Sequence, residues 1–218
     1  FNITLDGRVL KTPARNPLEL PNMELAMGIA AEWDAQTDNN RGIQPVNMPL
    51  MSLASTAIDQ IELDPQTAIN TCLKYLPTDS ALFIAPEFDR ILLEKQKQYL
   101  FPIIEWFKND LKLHLETTQS MAGRISHPDS VLIKIESILT EMDPFTLACL
   151  QGSVLESKSL VLSMAFVAGK ISMEDMIAAS RLEEEFQVEI WGVVEGGHDM
   201  DRLNNAVRLS SVGTFLSL

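Results

Sequence analysis

Cysteine is almost missing from this chain of 218 residues: Cys72 and Cys149 are the two present, far apart in sequence. They form no C-x-x-C, and two thiols build neither a zinc site nor a disulfide framework, so a reduced compartment is the simpler reading. Positive charge is also short. Lys+Arg 17 against Asp+Glu 30 leaves a net charge of -13, which repels phosphate backbones and argues against a nucleic-acid partner. A long hydrophobic run is absent too. The longest, near Leu160–Ala168, falls well short of the ~20 residues a spanning helix needs, so membrane insertion is not expected. No targeting segment is visible, and a chain that begins at Phe1 is expected to have lost residues from that end. The sequon Asn2-Ile3-Thr4 carries little weight without a secretion signal.

The catalytic signatures are missing as well. There is no G-x-S-x-G, no phosphate loop, no H-E-x-x-H and no G-x-G-x-x-G. His114 lies on a leucine-rich helix, and His127 before Pro128 reads as a turn or cap residue rather than a base. Glu195, His198 and Asp199 sit close enough in sequence to ligate a metal, but such groupings at helix ends are common by chance. No carboxylate pair is marked as a general acid.

What is present is a hydrophobic fraction of 46% and a charged fraction of 22%, enough for a sizeable core in one large or two small domains. Asn2–Leu5 alternates, Asp6-Gly7 makes a hairpin turn, Arg8–Thr12 returns and Leu18–Leu20 reads as a third short strand. Asn22 caps a helix through Leu25, Ile29 and Trp33, and Thr37–Gly42 is a loop. Further helices follow Pro49 and Asp64-Pro65, and Ala81–Ile84 reads as a returning strand. From Pro86 onward the spacing is helical: a helix through Ile91 that Pro102 restarts, one after Pro128, and one after Asp143-Pro144 that Gly152 is expected to break. Leu155–Ala168 is apolar on nearly every side and belongs at the centre of a bundle. The expected class is therefore α+β: a small N-terminal α+β domain with an antiparallel sheet over 1–85, then an all-helical C-terminal domain over 86–218.

The stretch Ser180–Asp201 is the most distinctive. Ser172-Met-Glu-Asp175 has capping-box spacing, and Ala179, Leu182, Phe186, Ile190 and Val193 fall on one face. One continuous helix of roughly 33 Å is expected, stopped by Gly196-Gly197. Its other face gathers Glu183, Glu184, Glu185 and Glu189, with Arg181 the only nearby base and Gln187 and Trp191 in line with Glu183. The plain reading is a solvated acidic face with Trp191 tucked into the core. The sharper reading is a surface for a partner. Glu183 is expected at the rim of the core, partly buried, binding a partner or bracing the helix against Arg181, His198 or the N-terminal domain; Glu184 and Glu185 turn further toward solvent.

The residues also carry a resemblance. Leu5-Asp-Gly-Arg8, Lys11-Thr-Pro13, Glu32-Trp-Asp-Ala-Gln36, Met48-Pro-Leu50, Thr56-Ala-Ile-Asp59, Tyr75-Leu-Pro-Thr-Asp79 and Arg181-Leu-Glu-Glu-Glu-Phe-Gln187 with Trp191-Gly192 follow one another in order. The ordered set resembles the ATP synthase assembly factor 2 family. That resemblance implies a non-enzymatic chaperone with no cofactor, holding the unassembled alpha subunit of the ATP synthase catalytic head until a beta subunit replaces it. It implies a monomer in the mitochondrial matrix, or in the cytoplasm for a bacterial source. The family's acidic block maps onto Glu183, Glu184 and Glu185, with Gln187 and Trp191 close by. Gly197, where the family has alanine, and the apolar Ser80–Ile84 depart from the pattern. A structural or adaptor subunit of a stable complex is the alternative class, and a hydrolase or metal enzyme the third.

Overall fold

The computed structural model describes residues 1–36, 42–120, 123–192 and 198–218, with His198 and Asp199 described in backbone only. The chain opens on a hairpin, β1 (Thr4–Leu5) against β2 (Arg8–Val9), paired antiparallel with Thr4 opposite Val9. Asp6 and Gly7 both take positive φ, 50° and 76°, as the tight turn of a twisted ribbon requires. The third strand does not form. Leu18 donates to Leu10 O and Leu20 to Phe1 O, but the ladder reduces to one bridge, Lys11 to Pro17, because Pro17 has no N–H to continue it.

Eleven helices are described after the hairpin: α1 (Met23–Asp34), α2 (Pro49–Thr56), α3 (Pro65–Leu73), α4 (Arg90–Tyr99), α5 (Phe101–Asn109), α6 (Asp129–Thr140), α7 (Pro144–Ser157), α8 (Leu160–Val167), α9 (Met173–Ser180), α10 (Leu182–Trp191) and α11 (His198–Ser217). Their starts follow capping chemistry. Asn22, Asp64, Asp89, Asp143, Ser159 and Ser172 each accept a backbone N–H of the helix they precede. A π-helical segment, Ala57–Ile61, continues α2. The α+β class thus holds in its coarse form: one small antiparallel sheet, then helices.

Two expected features differ. Ala81–Ile84 is a 3-10 turn over Ser80–Leu82, followed by a single parallel bridge from Phe83 to Thr118. Asp79 accepts Ala81 N at 3.1 Å and so bends the backbone where a strand would begin. Gly152 does not break α7. A Cβ there would lie 3.3 Å from Leu53 Cδ2, so the glycine lets α2 approach α7 closely; the chain turns instead at Lys158, whose φ is 59°.

α8 lies at the centre, as its all-round apolarity predicts: Leu160, Val161, Leu162 and Ala165 are fully buried. One apolar cluster runs from Leu10 to Phe215, and α7 packs on α2, α3, α8 and α11. Each large aliphatic side chain fully buried in it contributes roughly 1.5–3 kcal/mol. A second, small cluster joins Ala85 and Leu92 to Leu182 and Phe186. Among the described residues no helix is long and apolar enough to cross a membrane.

Candidate partner surface on the acidic helix

The expected continuous helix is two helices. Ser172 Oγ accepts Asp175 N at 3.0 Å and starts α9; at Arg181 the backbone leaves helical geometry, with φ −113° and ψ 9°. Local propensity does not ask for this break, since the sequence there is rich in helix formers. Packing does. Met176 and Ala179 bury into the main core, whereas Leu182 and Phe186 bury into the small cluster on α4. A straight helix cannot aim both pairs at their targets.

Arg181 sits in the joint, only 7% exposed. Its guanidinium meets Glu184 at 2.9 Å and Glu185 at 3.5 Å, and Arg202 of α11 reaches Glu185 at 3.4 Å. All three glutamates occupy the first turn of α10, where carboxylates also favour the helix dipole. Lys95 of α4 holds Glu189 at 2.6 Å. The arrangement reverses one expectation. Glu185 is the half-buried member, while Glu183 is exposed, because the break at Arg181 rotates α10 relative to α9.

The far end of α10 differs as well. Ile190 is 53% exposed and Trp191 75% exposed, so neither is tucked into the core. The helix stops at Gly192, whose φ is 85°, earlier than Gly196-Gly197. It has run past the patch on α4 that shelters Leu182 and Phe186. Glu183, Gln187 and Trp191 therefore make one exposed stripe, with Ile190 beside its end. Val193, Glu195, Gly196, Gly197 and the side chains of His198 and Asp199 lie outside the described residues, as do residues 37–41 of the loop after α1 and 121–122 of the loop before Pro128. Among the described residues no group of three His, Cys, Asp or Glu is placed to hold a metal ion. Cys72 and Cys149 are buried, and burial pushes both thiols up to about 12, far from the reactive thiolate range.

The other sequence blocks turn out to be ties between distant segments. Asp59 accepts Thr12 Oγ1 at 2.6 Å, Asn16 Nδ2 at 2.8 Å and Ala14 N at 3.1 Å, fastening the N-terminal loop to the π-helical segment. Glu32 accepts Leu50 N at 2.7 Å and Met51 N at 2.8 Å, capping α2, whose own N-cap Met48 offers no side-chain acceptor. Asp79 accepts Val161 N at 2.9 Å at the start of α8. These roles were not visible from periodicity; the one available signal was a carboxylate inside each block.

The comparisons with known proteins agree with one another. The family model described as ATP12 chaperone protein matches residues 1–108. The chain is 33% identical over 218 residues to the protein atp12, mitochondrial, of Schizosaccharomyces pombe, covering 96% of this chain and 74% of that one. It is 27% identical over 255 residues to the protein ATP12, mitochondrial, of Saccharomyces cerevisiae, covering 98% and 78%. The crystal structure of Atp12 from Paracoccus denitrificans superposes with a TM-score of 0.87 at 30% identity, covering 99% of this chain and 90% of that chain.

Proposed function

Since the chain belongs to the ATP12 chaperone family, we propose that it is an ATP synthase assembly chaperone whose client is the unassembled alpha subunit of the catalytic head. It acts as a monomer and without catalysis. An unassembled subunit exposes an apolar interface that invites aggregation, and a transient cover must match that interface without becoming permanent. The observation that carries the reading is the exposed stripe of Glu183, Gln187 and Trp191: a large aromatic 75% exposed on an acidic helix is the kind of anchor partner surfaces use. Glu184 and Glu185 complete the acidic block. The fungal relatives carry mitochondrial names and the solved Atp12 structure is from a bacterium, so the compartment is the mitochondrial matrix or, for a bacterial source, the cytoplasm.

The test mixes purified chain with free alpha subunit and follows aggregation by light scattering. Replacing Glu183, Glu184 and Glu185 together by glutamine should abolish protection. Because Arg181 then loses its partners, the exposed pair Glu183→Gln with Trp191→Ala is the cleaner variant: stability unchanged, protection lost. Full protection by that pair refutes the stripe. A complex of chain and alpha subunit that persists after beta subunit is added favours the adaptor reading instead.

Residues 1–85 and 86–218 are proposed as an N-terminal α+β domain and a C-terminal helical domain; they are joined by one apolar cluster from Leu10 to Phe215 where separate cores were expected. The alternating segments lie in the first, and the second is helical apart from the bridge at Thr118. Limited proteolysis that cuts first near 85 supports this division.

A further inference from the structure

α10 is tied down more weakly than the helices on either side of it. α9 buries Met176 and Ala179 in the main core, and α11 buries Leu209, Val212 and Phe215 there. Of the ten residues of α10, only Leu182 and Phe186 are buried, and both belong to the small cluster with Ala85 and Leu92. Its main packing partner is α4. The next position of the same face is Glu189, seven residues after Leu182, where a third apolar side chain would extend the seam. Lys95 of α4 meets it there at 2.6 Å, a half-exposed lysine on an exposed glutamate. The other tie to a distant helix is Arg202 on Glu185 at 3.4 Å, with Arg202 exposed. Ion pairs open to water contribute little and are screened by salt. The first turn of α10 also overhangs a cleft of about 490 Å³, walled by Tyr99, Ile177, Arg181 and Leu182 among others.

Both ends of α10 are already set apart from their neighbours. The backbone leaves helical geometry at Arg181, and Gly192, with φ 85°, ends the helix where an added Cβ would meet nothing within 4 Å. Releasing α10 therefore disturbs neither Met176 and Ala179 nor the apolar residues of α11. Burial of two side chains favours the closed position by roughly 10²–10⁴-fold, far less than the many side chains of the main core supply. A helix of ten residues is marginal by itself in water, so an α10 that leaves α4 also unravels. Opening of this kind is the low-stability end of a fold, separate from global unfolding.

We propose that Leu182–Trp191 is a latched arm. It opens as a unit while the main core stays folded, with Arg181 as its hinge and the ion pairs to Lys95 and Arg202 as its latch. Opening takes apart the stripe of Glu183, Gln187 and Trp191 that the arm carries, and so lets go of whatever the stripe holds; this last effect rests on the chaperone reading. The test is amide hydrogen exchange of the full chain, read on peptides from α8 and α10. In the parent chain α10 should exchange at least ~10²-fold faster than α8. Ile135→Val, in the main core, should speed α8 about 5-fold and leave α10 unchanged. Lys95→Gln should speed α10 about 3-fold, and sodium chloride at about 0.5 M should do the same to the parent but less to Lys95→Gln. Phe186→Ala should speed α10 roughly 10²-fold and lose protection of alpha subunit, which Ile135→Val keeps. Exchange of α10 that follows α8 in Ile135→Val, or that neither salt nor Lys95→Gln moves, overturns the latched arm. Full protection by a Phe186→Ala chain whose α10 exchanges freely overturns its effect on the client. If the parent chain itself fails to protect alpha subunit, the chaperone reading falls, and the exchange rates still decide the arm.

Discussion

Removing the carboxylate of Asp79 should be among the costliest single changes in the chain. The side chain is fully buried and accepts Ala81 N, Ser159 Oγ and Val161 N, joining the turn after α3 to the start of α8. In Asp79→Ala two backbone amides lose their acceptor out of reach of water, at about 1–3 kcal/mol each. The Ser159 O–H loses its acceptor as well, while its oxygen still accepts Leu162 N at 3.0 Å. The two amides together make a loss of about 2–6 kcal/mol, a large part of the roughly 5–15 kcal/mol that keeps a domain folded. For a chain of this size that lowers the melting temperature by about 10 °C. The same site gives a pH signature. Burial, outweighing the donors, raises the Asp79 carboxyl from 3.8 to about 6, so the folded state holds its proton more tightly than the unfolded state does. The stability this contributes is complete below pH 3.8 and is lost as pH rises through about 6, about 3 kcal/mol across the window. Asp79→Asn cannot titrate and removes that slope. Urea unfolding of the parent and Asp79→Asn between pH 4 and 7, taken as a difference so that other groups cancel, measures it. A difference that does not change with pH, or an Asp79→Ala chain that melts with the parent, refutes the reasoning.

Trp33 is partly buried against the main core, and Trp33→Arg places a charge there with no counter-ion provided; thermal unfolding by circular dichroism should show a loss of about 3–5 kcal/mol. Glu32→Ala strips α2 of its only side-chain acceptor among the described residues and should cost about 1–2 kcal/mol in urea unfolding; a melting point equal to the parent's would count against the cap. His127 is buried, with Nδ1 accepting Glu116 N at 3.3 Å, and burial lowers its pKa. The neutral ring is therefore the folded form, and the stability it contributes is present above pH ~6.5 and lost as pH falls through the lower folded value. Proton NMR of the imidazole should place its midpoint below that of a free histidine, and a midpoint above it would overturn the assignment.

Much of this architecture can be read from short-range chemistry. Caps at Asn22, Asp64, Asp143 and Ser172 are local: one side chain and the amides two or three residues on suffice. The burial of α8 follows from apolar residues on every side. The hairpin follows from Asp6-Gly7. The acidic residues of the candidate surface are legible for the same reason, since a helix dense in glutamate must turn some of them outward. Arg181 reaches Glu184 and Glu185 across one helical turn, but which of them remains uncommitted is not fully legible, because Arg202 claims Glu185 only after α10 and α11 have packed.

The sequence by itself determined the helical majority, the small N-terminal hairpin, most helix starts and the family resemblance, because each depends on residues close in the chain or on their order. Only the tertiary structure decided the break at Arg181, the exposure of Trp191, the failure of Ala81–Ile84 to form a strand and the orphaned pair Trp33 and Ser55. Each of those depends on where a distant element stands. α9 and α10 serve different clusters, the patch on α4 ends before Trp191, the start of α8 fixes Asp79 at the turn where a strand would begin, and Trp33 Nε1 and Ser55 Oγ are buried with no hydrogen-bond partner among the described residues. Periodicity reports which face of an element is apolar; it does not report what that face will meet.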